Sequence, residues 1–430
     1  MNFIETVLAR RAGRERVTPG ETVWVDVDTL LTHDVCGPGT IGIFQHEFGR
    51  EATVWDPDKV VLMPDHYIFT EDAHAIRNRE LVRQFAHEQA LPHYYDEASD
   101  RYRGVCHVGF AEEGFARPGR VLFGTDSHTC TAGAFGQFAT GIGNTDAAFI
   151  MGTGRLWVKV PETVRIILHG HWPAALMAKD AILQIICDLG LDGATYGALE
   201  FVGEAVEALD MDERMTLCNM AIEAGGKCGV IPPDAVTYDY LRARGVDAFE
   251  SITVNGDARY QRVLVYDVSL MRPTVAMPYT PDRAALAADL SDVKLDQCYI
   301  GSCTGGKMAD FRAAARVLNG RSVACRTVMV PATREIEKAL ETETLHDHTL
   351  ADIFRAAGAE MGPPSCAACL GGPKDTFGRL NGDEVCLSTT NRNFPGRMGS
   401  PKSQTFLASP LTVAASAVIG RIIDPSVYVT

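Results

Sequence analysis

Short apolar runs alternate along the chain with longer stretches in which apolar positions recur at helical spacing. Residues 22–26, 60–63, 120–123, 164–168, 251–254, 297–300 and 323–330 read as strands, being rich in β-branched, aliphatic and aromatic side chains. Residues 71–88, 174–189, 282–290, 308–318 and 332–341 read as helices. This alternation favours an α/β fold of layered, largely parallel sheets. No internal repeat or low-complexity tract interrupts it. Composition shifts near Pro161 and across residues 273–292 divide the 430 residues into three units, 1–161, 162–290 and 291–430. That count agrees with roughly 150 residues per domain.

Three predicted strands run into chemistry-bearing residues. The strand at 60–63 leads to Asp65-His66, and that at 120–123 to Thr125-Asp126-Ser127-His128. The strand at 297–300 leads to Gly301-Ser302-Cys303-Thr304. The carboxyl ends of strands in α/β sheets open onto the ligand crevice, so these three ends are expected to form one composite site.

Forty Lys and Arg against 55 Asp and Glu leave a net charge of −15. A chain that acidic is poorly suited to wrapping nucleic acid or lying on anionic lipid. Glu5 interrupts the N-terminus before any apolar run of signal-peptide length. The weakly polar stretch 406–420 falls short of the roughly 20 residues a membrane span needs. The expectation is a cytoplasmic protein with neither membrane nor nucleic-acid partner. Its twelve cysteines then read as reduced thiols rather than a disulfide framework.

One cysteine pair, Cys366 and Cys369, has C-x-x-C spacing in a Gly- and Pro-bounded loop, and Cys303 ends a strand 63 residues earlier. By itself this pattern is open between zinc, a redox dithiol, iron–sulfur ligands and unligated thiols. Cys298 is the candidate fourth ligand for zinc, although it lies within an apolar strand. The glycine-rich run 133–154 lacks the G-x-x-x-x-G-K-[ST] phosphate-loop pattern.

Taken together, five ordered blocks resemble the aconitase superfamily. They are Gly124-Thr-Asp-Ser-His-Thr129, Thr216-Leu-Cys-Asn-Met-Ala-Ile-Glu223, Tyr299-Ile-Gly-Ser-Cys-Thr304, the Cys366–Cys369 loop, and Thr389-Thr-Asn-Arg-Asn-Phe-Pro-Gly-Arg397. The whole chain most resembles the large-subunit branch of the isopropylmalate dehydratases. The resemblance implies three α/β/α domains around a central iron–sulfur site, without the swivelling fourth domain. It also implies a hydro-lyase acting on a small 2-hydroxy dicarboxylate.

By that resemblance, Cys303, Cys366 and Cys369 hold a 4Fe-4S cluster whose fourth iron has no protein ligand and acts as a Lewis acid. The catalytic residues implied are the pairs Asp65–His66, Asp126–His107 and Glu223–His128, with His107 as proton donor to the departing hydroxide. Arg392 and Arg397, flanking one short turn, would grip substrate carboxylates, since guanidinium binds them bidentately. Ser127, Asn219 and Asn391 would complete the binding site. The chain departs from the family pattern at Gly305, where Asn is common, and in the Ala367-Ala368 interior of the C-x-x-C. These departures leave 3-isopropylmalate, 2,3-dimethylmalate, methylmalate (citraconate) and maleate hydration as candidate reactions. A cluster-free RNA-binding protein and a zinc-stabilised scaffold are the other functional classes, the first disfavoured by the charge.

The superfamily takes the carbon-bound proton with a serine on its swivelling domain. The chain ends soon after the arginine loop, leaving no room for a domain of typical size. The expectation is therefore a small-subunit partner that carries that domain and supplies the base.

Overall fold

The computed structural model describes residues 1–430 apart from 251, 253, 255–257 and 430. Its architecture is α/β, built on three larger sheets. In the first, five parallel strands stand in the order His93–Tyr94, Val60–Leu62, Thr29–Thr32, Val121–Gly124, Phe138–Gly141. Because all five run the same way, Thr32, Leu62 and Gly124 deliver His33-Asp34, Asp65-His66 and Asp126-Ser127-His128 to a single edge. The central strand Thr29–Thr32 was not anticipated from its short and partly polar sequence.

The second sheet is also parallel, in the order Cys228–Val230, Ala198–Val202, Thr163–His169, Arg262–Asp267. The third has seven strands, with Gln297–Ile300 flanked by Arg326–Met329 and Val385–Ser388. These parallel neighbours send Cys303 and the Thr389–Arg392 segment out of the same end. One buried cluster packs Leu31 and Phe135 of the first unit against Ile166 and Phe201 of the second. Another surrounds the third sheet and contains Cys303, Cys366 and Cys369 together with Val105 and Val108.

The expected helices at 71–88 and 308–318 are observed as Ala73–Glu88 and Met308–Leu318. Asp72 caps the first by accepting the His74 and Ala75 N–H groups at 3.0 and 2.9 Å. The segment 282–290 differs from expectation. It forms the strand Ala284–Leu286 and a single 3-10 turn, Ala287–Leu290, despite its Ala- and Leu-rich composition. The cause is tertiary pairing: Thr274, Val275 and Ala276 lie antiparallel to Leu286, Ala285 and Ala284. Residues 274–286 thereby join the third sheet, whereas the sequence division at 290 assigned them to the second unit. The strand expected at 251–254 lies partly outside the described residues; Ile252 and Val254 pack on the core of the first unit.

Residues 404–419 form the strand Gln404–Leu407 and the ten-residue helix Pro410–Ile419, largely buried. Among the described residues no helix is long and apolar enough to cross a membrane.

Candidate active site

Where the carboxyl ends of the first and third sheets meet the 3-10 turn Met220–Ala224, each expected histidine faces the expected carboxylate. His66 Nδ1 lies 2.6 Å from Asp65 Oδ1, His107 Nε2 lies 2.8 Å from Asp126 Oδ1, and His128 Nε2 lies 2.9 Å from Glu223 Oε1. Asp126 links two of these pairs, since its Oδ1 also accepts the His128 N–H at 2.7 Å. Ser127 Oγ lies 3.3 Å from His128 Nδ1, which leaves both ring nitrogens of His128 engaged.

The electrostatics follow from this pairing. Burial opposes charge on His66, but the Asp65 carboxylate outweighs it and raises the imidazolium to about 9. Burial would likewise lift Asp126, yet hydrogen bonds from His107 and His128 hold it well below the usual carboxylate range. Asp65 is lowered by His66 against the same burial penalty. The Asp65–His66 pair is thus held as an ion pair in a desolvated site.

Cys303, Cys366 and Cys369 are all buried and belong to one side-chain cluster. Two side-chain amides point at the Cys303 sulfur, Asn219 Nδ2 at 3.1 Å and Asn391 Nδ2 at 3.3 Å. The Cys366 loop is tied to the first unit by its N–H, which donates to the Asp65 carbonyl at 2.9 Å, and by Tyr102 Oη, which donates to the Pro364 carbonyl at 2.6 Å. The sulfurs of Cys366 and Cys369 and a His66 ring nitrogen all lie within 4.8 Å of one another. Cys366 and Cys369 are joined as a disulfide, their Cα atoms 5.5 Å apart, where the sequence pointed to reduced thiols; that separation suits either a bridge or two ligands of one metal centre. The other ten cysteines are free. Cys298 faces Cys325 at 3.7 Å within the third sheet and does not join the C-x-x-C loop.

The two arginines differ. Arg392 Nε donates to both oxygens of Glu223, at 2.8 and 3.1 Å, so it extends the His128–Glu223 pair. Arg397 has a buried Nε with no hydrogen-bond partner among the described residues. Burial and the neighbouring Arg392 lower its pKa, while Asp126, Glu223 and Cys303 act in the opposite sense, which sets the guanidinium among the site residues.

Several site residues escaped the sequence reading. Lys179 and Lys307 are fully buried beside the Cys303 loop, and Lys307 pairs with Asp310 at 3.0 Å. Lysine is so commonly a surface residue that neither carried a signal. His33 is buried against His66, with ring centroids 4.9 Å apart, and its Nε2 lies 3.9 Å from Asp126 Oδ2. Asp34 accepts the backbone N–H groups of Asp65 and His66 at 3.0 and 3.2 Å, fixing the turn that presents that pair. The adjacent His33-Asp34 dipeptide was the one available hint.

The family model for "Aconitase family (aconitate hydratase)" matches residues 5–289 and 283–420. The chain belongs to the aconitase family. It is 54% identical over 438 residues to the chloroplastic 3-isopropylmalate dehydratase large subunit of Arabidopsis thaliana, covering 99% of this chain and 86% of that one. It is 43% identical to 3-isopropylmalate dehydratase large subunit 1 of Methanopyrus kandleri, covering 99% and 98%. The holo-form of Thermococcus kodakaraensis aconitase X superposes with a TM-score of 0.52 at 12% identity, over 96% of this chain and 94% of that one. That likeness shows that the family fold is shared.

Proposed function

We propose that this chain is the large, catalytic subunit of a hydro-lyase that dehydrates and rehydrates a 2-hydroxy dicarboxylate, with 3-isopropylmalate as substrate. The observation that carries the reading is the convergence on one crevice of Cys303, three histidine–carboxylate pairs and Arg397, whose buried Nε has no hydrogen-bond partner among the described residues. Relatives 43–54% identical over the full chain, named for that activity, support the substrate.

The donor set fits a 4Fe-4S cluster held by Cys303, Cys366 and Cys369. All three cysteine sulfurs are buried, reduction of the Cys366–Cys369 bridge would free two of them as thiolates, and the Cys303 sulfur already accepts from two amides, which favours a thiolate there. When bound, the cluster would supply a Lewis-acidic iron to polarise the substrate hydroxyl. The chain's own residues perform the rest. Arg397, with Arg392 beside it, binds substrate carboxylate. His107, held by Asp126, protonates the departing hydroxide. Glu223 fixes both His128 and Arg392, coupling proton handling to substrate binding. Asp65 keeps His66 cationic against the cysteine loop.

A small-subunit partner carrying the swivelling domain closes the crevice and contributes the base, in keeping with the large-subunit names of the relatives. The cytoplasm is the compartment proposed. The test is an anaerobic comparison of 3-isopropylmalate, 2,3-dimethylmalate, methylmalate and maleate hydration by the cluster-loaded two-subunit enzyme. The highest kcat/KM is expected with 3-isopropylmalate. A higher value for another of the four would reassign the substrate.

A further inference from the structure

Lys179 stands in the first turn of the helix Ala178–Leu189 and is buried with 1% exposure. Both circumstances are unfavourable for an ammonium group, which meets the positive end of the helix dipole and loses its hydration. Among the described residues it forms no ion pair, in contrast to its buried neighbour Lys307, which has Asp310. Its Nζ donates instead to the Thr390 carbonyl at 2.5 Å, to the Thr389 carbonyl, and to Thr304 Oγ1 at 3.4 Å.

Those acceptors sit at a junction. Thr389 and Thr390 follow the strand Val385–Ser388 and immediately precede Asn391 and Arg392. Thr304 follows Cys303, and its hydroxyl also donates to the Thr389 carbonyl at 2.8 Å. One side-chain nitrogen from the second unit therefore joins the loop bearing Cys303 to the loop bearing Asn391, Arg392 and Arg397. Removing it would leave buried carbonyls short of a donor where the second loop leaves its strand.

We propose that Lys179 is a positioning residue that fixes the 389–397 loop so that its arginines are preset for a dicarboxylate. The proposal rests on the functional reading above for the identity of that ligand. Burial, with Lys307 close by, lowers the Lys179 pKa from 10.5 to about 7, so charge alone does not account for the residue; the directed contacts of its Nζ with the two carbonyls do. Its effect reaches substrate through Arg392 and Arg397.

The test uses the full chain carrying Lys179→Met, which removes every donor, and Lys179→Gln, which keeps an uncharged one. Amide hydrogen exchange is read on the chain, and KM and kcat for 3-isopropylmalate on the cluster-loaded two-subunit enzyme. Lys179→Met is expected to speed exchange across residues 389–397 about tenfold or more and to raise KM by a similar factor, with a smaller change in kcat. Exchange in the strand Gln297–Ile300 should stay at the wild-type rate, and Lys179→Gln should lie between. If Lys179→Met does not fold, the Gln variant carries the same comparison. Wild-type exchange over 389–397, or an unchanged KM, in a folded variant would overturn the proposal. Absence of turnover by the wild-type two-subunit enzyme would instead strike the functional reading, with the exchange arm still deciding the role of Lys179.

Discussion

Thr389 occupies the space that any side chain at Gly305 would need. An ideal Cβ at 305 would fall within the van der Waals envelope of the Thr389 Cβ and Oγ1, and would lie 3.0 Å from the Gly301 carbonyl. Thr389 cannot easily yield, because its Oγ1 accepts the Gly301 N–H and donates to the Gly301 carbonyl, both at 2.9 Å. Gly305 is thus part of the packing between the Cys303 loop and the arginine loop. Gly305→Ala should lower unfolding stability by about 1–3 kcal/mol in a urea titration, the usual cost of overpacking. Gly42, inside the helix Gly37–Phe48 with open space around it, is the control. Gly42→Ala should stabilise by roughly 0.5–1 kcal/mol. Equal effects of the two substitutions would contradict this account of Gly305.

Arg392→Lys keeps the charge but cannot reproduce the Nε donor that reaches both oxygens of Glu223. A charged hydrogen bond of this kind is worth about 1.5–3 kcal/mol, so kcat/KM should fall roughly 10- to 100-fold. The visible spectrum of the loaded chain should change little, while its unfolding midpoint should fall, because the Glu223 contact is made within the folded chain. Wild-type kinetics in this variant would remove Arg392 from the site.

His66 gives a pH dependence of definite sign. Burial opposes its ionisation, but Asp65 prevails and lifts it from 6.5 to about 9. A raised histidine contributes stability that is fully present below about 6.5 and is lost as pH rises through about 9. The urea midpoint of the cluster-free chain should therefore fall across that window more steeply than that of His66→Gln. Parallel curves for the two proteins would show that the Asp65–His66 pair is not held ionised.

Cys303→Ser, Cys366→Ser and Cys369→Ser should each abolish the broad sulfur-to-iron charge-transfer absorbance after anaerobic reconstitution. Cys298→Ser should retain it, because Cys298 faces Cys325 within the sheet. A full spectrum in all three ligand variants would reject the assignment, and a colourless zinc-loaded wild type would support a structural metal instead.

Much of the site could be read from the chain because its chemistry sits at strand ends in unusual residue types. Cysteine, histidine and paired carboxylates in short polar blocks stand out against apolar strands, as at Asp126-Ser127-His128 and Ser302-Cys303-Thr304. What escaped depends on long-range context. Thr29–Thr32 is the middle strand of the first sheet, yet its four residues show no alternation because both faces are covered. Residues 282–290 have helical composition but are captured by pairing with Thr274–Ala276. Lys179 and Lys307 gain their roles only from burial beside Thr389 and Cys303. A net charge of −15 gave no sign that cations are drawn inward at this point.

The most direct test of the account follows the ultraviolet absorbance of the conjugated alkene formed from 3-isopropylmalate, using the anaerobically cluster-loaded chain with and without its small-subunit partner. Steady alkene formation is predicted for the two subunits together and essentially none for the chain alone. Robust turnover by the chain alone, or no turnover by the loaded pair, would contradict it.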